Sequence, residues 1–229
     1  MKNEYSKTID LCIQSLKEKL GNKLEMIYVI GSSATKDVII NWSDIDLIIV
    51  IEKYNIEDIK LIKKIVNSYK IKIGTTIYSK KEFERKNIDA KTYYYLYLYE
   101  NGILDIRYLN KDLKIPKITF EECSQVTKMI LFNDLHNLKR MLIYKKLKKD
   151  QIKTLYKKIY VVMKSVLIIN GEFPKNYKET FNMFSSKFDY EYFDYLKFID
   201  DFINDNISEE TIKIYAYNLI VCVSNMIFN

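Results

Sequence analysis

Histidine is nearly absent from this 229-residue chain, with His136 its only copy, and cysteine is scarce at three. One histidine leaves zinc without its usual nitrogen ligands. Cys12, Cys123 and Cys222 are odd in number, far apart and set in apolar-periodic segments, so they read as small core residues and not as a disulfide framework. Proline (2) and glycine (5) are equally rare, which excludes a loop-rich scaffold and favours long helices. Long apolar runs are missing too: the longest, IYVVMKSVLII, is too short to span a bilayer and is broken by Lys164. The start, MKNEYSKTID, lacks the apolar stretch of a secretion signal, so the expectation is a cytoplasmic protein with no membrane partner.

What the chain does hold is apolar and basic. Hydrophobic residues make up 48%, including 20 Tyr and 11 Phe, enough for a sizeable core. The net charge of +7 leans toward an anionic partner such as a nucleotide, RNA or an acidic protein. The basic residues concentrate in residues 139–158, KRMLIYKKLKKDQIKTLYKK, where Asp150 is the only acid. That stretch reads as one basic helix, either a solvated face or a surface for RNA or phosphate.

The periodicity predicts an α+β fold. A helix over residues 5–20 ends at Gly21, and EMIYVIG follows as a buried strand running to Gly31. A helical turn from Ser32 leads to DIDLIIVI, a strand apolar on both faces. IEDIKLIKKIVNSYK is an amphipathic helix and IKIGTTIY a third strand. Ser79 and Glu82 form a capping box. KTYYYLYLYENG is a tyrosine-rich helix, and ILDIRYL returns as a fourth strand. Beyond Pro116 only helical periodicity remains. The expected organisation is a domain over 1–115, a mixed sheet flanked by helices, and a helical bundle over 116–229.

The chemistry concentrates in GSSATKDVIINWSDIDLIIVI, residues 31–51. On a strand, residues i and i+2 project to one side, so Asp44 and Asp46 point together while Ile45 and Leu47 point into the opposite layer. Two carboxylates so placed repel each other unless a cation sits between them. Mg²⁺ or Mn²⁺ suits two carboxylates completed by water and phosphate oxygens. Gly31 and Ser32, between a strand and a helical turn, offer free backbone N–H groups and a hydroxyl to a phosphate. Trp42 reads as packing at the strand entrance.

Gly-Ser, a gap of about a dozen residues and Asp-x-Asp on an apolar strand resemble the polymerase-beta-like nucleotidyltransferase superfamily. Gly31, Ser32, Asp44 and Asp46 match its pattern, with Ser43 in the small polar position before the first Asp. The layout is similar to the two-domain antibiotic nucleotidyltransferases, which act on aminoglycosides or lincosamides. The resemblance implies catalytic Asp44 and Asp46 holding Mg²⁺ or Mn²⁺, with Gly31, Ser32, Ser43 and Lys36 at the nucleotide. It also implies a nucleoside triphosphate co-substrate, ATP foremost, a hydroxyl acceptor on a small molecule or RNA, and a homodimer as an oligomeric candidate. The family usually places a third carboxylate on the next strand, and IKIGTTIY has none. Asp105 in ILDIRYL is then the substitute as ligand and base, with Glu82 and Glu100 behind it. A toxin-type transferase acting on tRNA or protein, and an antitoxin-like nucleotide binder with a vestigial site, remain the alternatives.

Overall fold

A computed structural model describes residues 2–35, 37–143, 146–188, 190, 194–206 and 208–228. Lys36 lies outside the described residues. The chain divides into two compact units, Met1–Thr119 and Phe120–Asn229.

In the first unit, helix α1 (Lys2–Leu20) stops where Gly21 takes a φ of +54°, and a 3₁₀ turn over Gly21–Lys23 delivers strand β1 (Leu24–Ile30). The turn α2 (Ser32–Thr35) and an irregular loop lead to β2 (Ile45–Ile51). Helix α3 (Ile56–Val66) crosses over to β3 (Ile73–Ser79), which runs parallel to β2. Then come α4 (Lys80–Glu84), α5 (Ala90–Glu100) and β4 (Tyr108–Leu109). The sheet order is β3-β2-β1-β4, and β1 is antiparallel to both its neighbours, so the sheet is mixed.

Alternation along the strands sorts the two faces. Ile27 and Val29 of β1 and Ile45, Leu47, Ile49 and Ile51 of β2 join Ile9, Cys12 and Leu16 of α1 and Ile62, Ile65 and Val66 of α3 in one core cluster. Each such side chain, fully buried, contributes roughly 1.5–3 kcal/mol. On the opposite face the Tyr28 hydroxyl donates to the carbonyl of Tyr95 in α5 at 2.8 Å. The expected caps are present: Ser79 Oγ accepts from Glu82 N, and the Glu82 carboxylate accepts from Ser79 N at 2.7 Å.

The fourth strand is shorter than ILDIRYL suggests. Only Tyr108 and Leu109 pair with β1, while residues 103–107 are irregular. An edge strand has a partner on one side only, and the Gly102 turn at a φ of +66° consumes the start of the run.

The second unit is helical: α6 (Phe120–Ile143), α7 (Lys149–Ile169), α8 (Tyr177–Phe188), α9 (Tyr195–Ile203) and α10 (Glu209–Phe228). Its core includes Leu138, Leu155, Tyr156, Ile159, Val162, Phe181, Phe184, Ile212 and Leu219. Ser208 opens α10, its Oγ accepting from Thr211 N at 3.3 Å. The basic run at 139–158 is not one helix: α6 ends at Ile143 and α7 restarts at Lys149. Leu147 is buried at this junction, and Lys148 N donates to Gln151 Oε1 at 2.8 Å to begin the new helix. No helix among the described residues is long and apolar enough to cross a membrane.

Candidate active site

Gly31 ends β1 in a left-handed conformation, φ +73°, which an L side chain adopts only with strain and which turns the chain into α2. Its carbonyl accepts from Ala34 N and Thr35 N. The first N–H groups of such a turn lack helical partners and are left to other acceptors. Ser33 Oγ is buried there with no hydrogen-bond partner. Ser33, the second serine of GSSAT, lies outside the Gly-Ser pattern, and only the doubling of the serine marks it in the sequence.

The loop into β2 is held by its own polar groups. Ser43 Oγ accepts from Ile39 N at 2.9 Å, and the Tyr5 hydroxyl of α1 donates to the Ser43 carbonyl at 3.0 Å. Ser43, expected at the nucleotide, thus has its side-chain oxygen engaged in shaping the loop. Burial, then the charge of Asp44, then that of Glu4 push the Tyr5 phenol up. Trp42 is 1% exposed and packs as core, the role expected of it.

Asp46 is the second residue of β2, in register with Ile30 of β1 and Gly74 of β3. It shares a face with Ile48 and Val50 of its own strand and with Gly74, Thr76 and Tyr78 of β3. Two glycines make room for it. A Cβ on Gly31 would stand 3.2 Å from Asp46 Oδ2, and one on Gly74 only 2.8 Å from Oδ1. The carboxylate therefore fills space that side chains would otherwise take. Its Oδ2 lies 3.0 Å from Lys91 Nζ, and both side chains meet solvent, 36% and 47% exposed.

Lys91 arrives from the first turn of α5, which starts at the N-cap Asp89. Asp89 N donates to the Tyr78 hydroxyl at 2.9 Å, and that hydroxyl is 3.0 Å from Thr92 Oγ1. Tyr78 stands on the Asp46 face, four residues along β3 from Gly74, and ties the start of α5 to that face of the sheet. Neither Gly74 nor Lys91 was visible as a site residue in the sequence.

The three acids expected as a third carboxylate lie outside β2 and β3. Asp105 sits exposed in the irregular segment before β4, and its charge is felt by the Tyr28 phenol, which burial, then Tyr95, then Asp105 and Tyr99 push up. Glu82 is spent in its capping box at the far end of β3, and Glu100 is exposed at the end of α5. Among the described residues no group of three His, Cys, Asp or Glu side chains is placed to hold a metal. The hard oxygen donors Asp44 and Asp46 and the glycine-lined seat around Asp46 fit one Mg²⁺ completed by phosphate and water, and supply no third protein ligand.

Residues 9–180 match the family described as nucleotidyltransferase domain. The structure is similar to the spectinomycin adenyltransferase AAD(9) from Enterococcus faecialis, solved with ATP and spectinomycin. The TM-score is 0.60 at 15% identity, over 96% of this chain and 99% of that one. No curated protein sequence matches the chain.

Proposed function

This chain belongs to the nucleotidyltransferase family, and we propose that it moves a nucleoside monophosphate from ATP to a hydroxyl of a small antibiotic-like acceptor. One observation carries the reading. Asp46 heads a buried strand, next but one to Asp44, in a seat cleared by Gly31 and Gly74 and open to solvent. A carboxylate kept in space that two glycines leave free, with a second carboxylate two residues before it, suits a bound divalent cation.

Asp44 and Asp46 would hold Mg²⁺, which when bound neutralises charge on the triphosphate. The backbone at Gly31 and Ser32, with the orphaned Ser33 hydroxyl, binds the outer phosphates. The acceptor oxygen attacks the α-phosphorus in line, the bond from that phosphorus to its bridging oxygen breaks, and pyrophosphate leaves. The acceptor proton passes to a base outside the Asp44 and Asp46 pair, for which Asp105 is the candidate.

The structural neighbour was solved with ATP and an antibiotic, which supports that pairing of substrates here. The RNA alternative leans on the basic run, and that run is interrupted and partly neutralised: Lys149 pairs with Asp205, and Lys158 with Asp134. The test is label transfer from each α-labelled nucleoside triphosphate, with Mg²⁺, to spectinomycin, an aminoglycoside and lincosamide panel, and total tRNA. Label should pass from ATP to one antibiotic, and Asp46→Asn should abolish transfer while leaving the melting curve in place. Full activity in Asp46→Asn sinks the assignment, and label on tRNA alone moves the acceptor to RNA.

A further inference from the structure

We propose that Lys91 is a positioning residue whose ammonium serves as the built-in counter-cation of Asp46, so that the centre takes a single divalent ion with its nucleotide. The proposal rests on the nucleotidyltransferase reading of the site and extends it to how many cations the site accepts.

Three observations converge. Lys91 Nζ is 3.0 Å from Asp46 Oδ2, the oxygen that also faces Gly31. Lys91 is the second residue of α5, at the positive end of the helix, where the macrodipole disfavours a lysine. Its position is nonetheless fixed, because Tyr78 binds Asp89 N and contacts Thr92 on either side of it. Gly74, the β3 residue in register with Asp46, has no side chain to offer a second ion, and among the described residues no group of three acidic, His or Cys side chains is placed to hold one.

The charges follow. Two carboxylates without a third acid balance one divalent ion, and the adjacent ammonium disfavours another. Lys91 rides on a flexible four-carbon stem, so a divalent ion that takes Asp46 Oδ2 displaces it, and phosphate oxygens carried by that ion are its next partner.

Mn²⁺ binding followed by electron paramagnetic resonance, which does not depend on turnover, tests this. The variants are Lys91→Met, Lys91→Arg and Asp46→Asn, each first shown to melt like the parent chain. Without nucleotide, Lys91→Met should bind Mn²⁺ about fivefold more tightly, the scale of losing a solvent-exposed ion pair as competitor, and Lys91→Arg should stay near the parent. With a non-hydrolysable ATP analogue the parent chain should hold one Mn²⁺. Unchanged or weaker Mn²⁺ binding in Lys91→Met, or two ions in the parent, overturns the Lys91 proposal. Mn²⁺ binding that ignores Asp46→Asn overturns the metal–nucleotide reading itself, so the two failures are distinguishable.

Discussion

Gly74 shows how a residue without a side chain can decide the position of one with a charge. A glycine inside a strand costs roughly 0.5–1 kcal/mol relative to alanine, so on propensity alone Gly74→Ala should stabilise β3. The added Cβ would, however, stand 2.8 Å from Asp46 Oδ1, closer than atoms tolerate. The backbone of two paired strands is stiff, and the carboxylate is the part that can turn. Gly74→Ala should therefore melt within about 1 kcal/mol of the parent chain while transfer falls by an order of magnitude or more, the usual price of an ångström of misplacement at a reacting centre. Melting curves beside initial rates check it, and undiminished rates would show that the glycine seat does not place Asp46. At Gly31 the two effects do not separate, since its φ of +73° makes any substitution strained as well as crowded.

Elements differ in how much of them the sequence discloses. The segment from Gly31 to Asp46 is legible because its meaning is local: Gly-Ser ends one strand, Asp-x-Asp heads the next, and adjacent antiparallel strands bring them together. Gly74 and Lys91 are illegible for the opposite reason, because they reach Asp46 only through the register of the parallel β2–β3 pair and the docking of α5. The overlong β4 and the unbroken basic helix are misread because periodicity reports which face is apolar and not where hydrogen bonding stops. Tyr78 holds the start of α5 to the sheet, as Tyr28 holds its middle. Its buried hydroxyl accepts from Asp89 N and contacts Thr92 Oγ1, so Tyr78→Phe leaves both polar groups without that partner. The expected cost is about 1–3 kcal/mol, read as a lower denaturant midpoint at unchanged slope. Because α5 carries Lys91, faster amide exchange should appear at the start of that helix before it appears in β2. Uniform exchange across both would mean that Tyr78 is only another core residue.

The two units each have a core, and each core encloses a cysteine that reports on it. Cys12 is fully buried in the first unit and Cys123 is 1% exposed in the second, whereas Cys222 is partly exposed. Burial pushes the thiols of Cys12 and Cys123 up to about 11. The thiolate is the reactive form, so at pH 8 both are disfavoured by proton as well as by access. An aromatic disulfide reagent should consequently modify Cys222 first, and Cys12 and Cys123 only when their surroundings open. Mn²⁺ and an ATP analogue at a hundred times their dissociation constant stabilise the state they bind by about 2.7 kcal/mol, or roughly a hundredfold in the open population. The proposed nucleotide residues Gly31, Ser32, Asp44 and Asp46 all belong to the first unit. Nucleotide should then slow modification of Cys12 by about that factor and of Cys123 by much less, with rates followed residue by residue by mass spectrometry. Equal slowing at both cysteines would mean that the units open as one body, and no slowing at either would remove nucleotide from the first unit altogether.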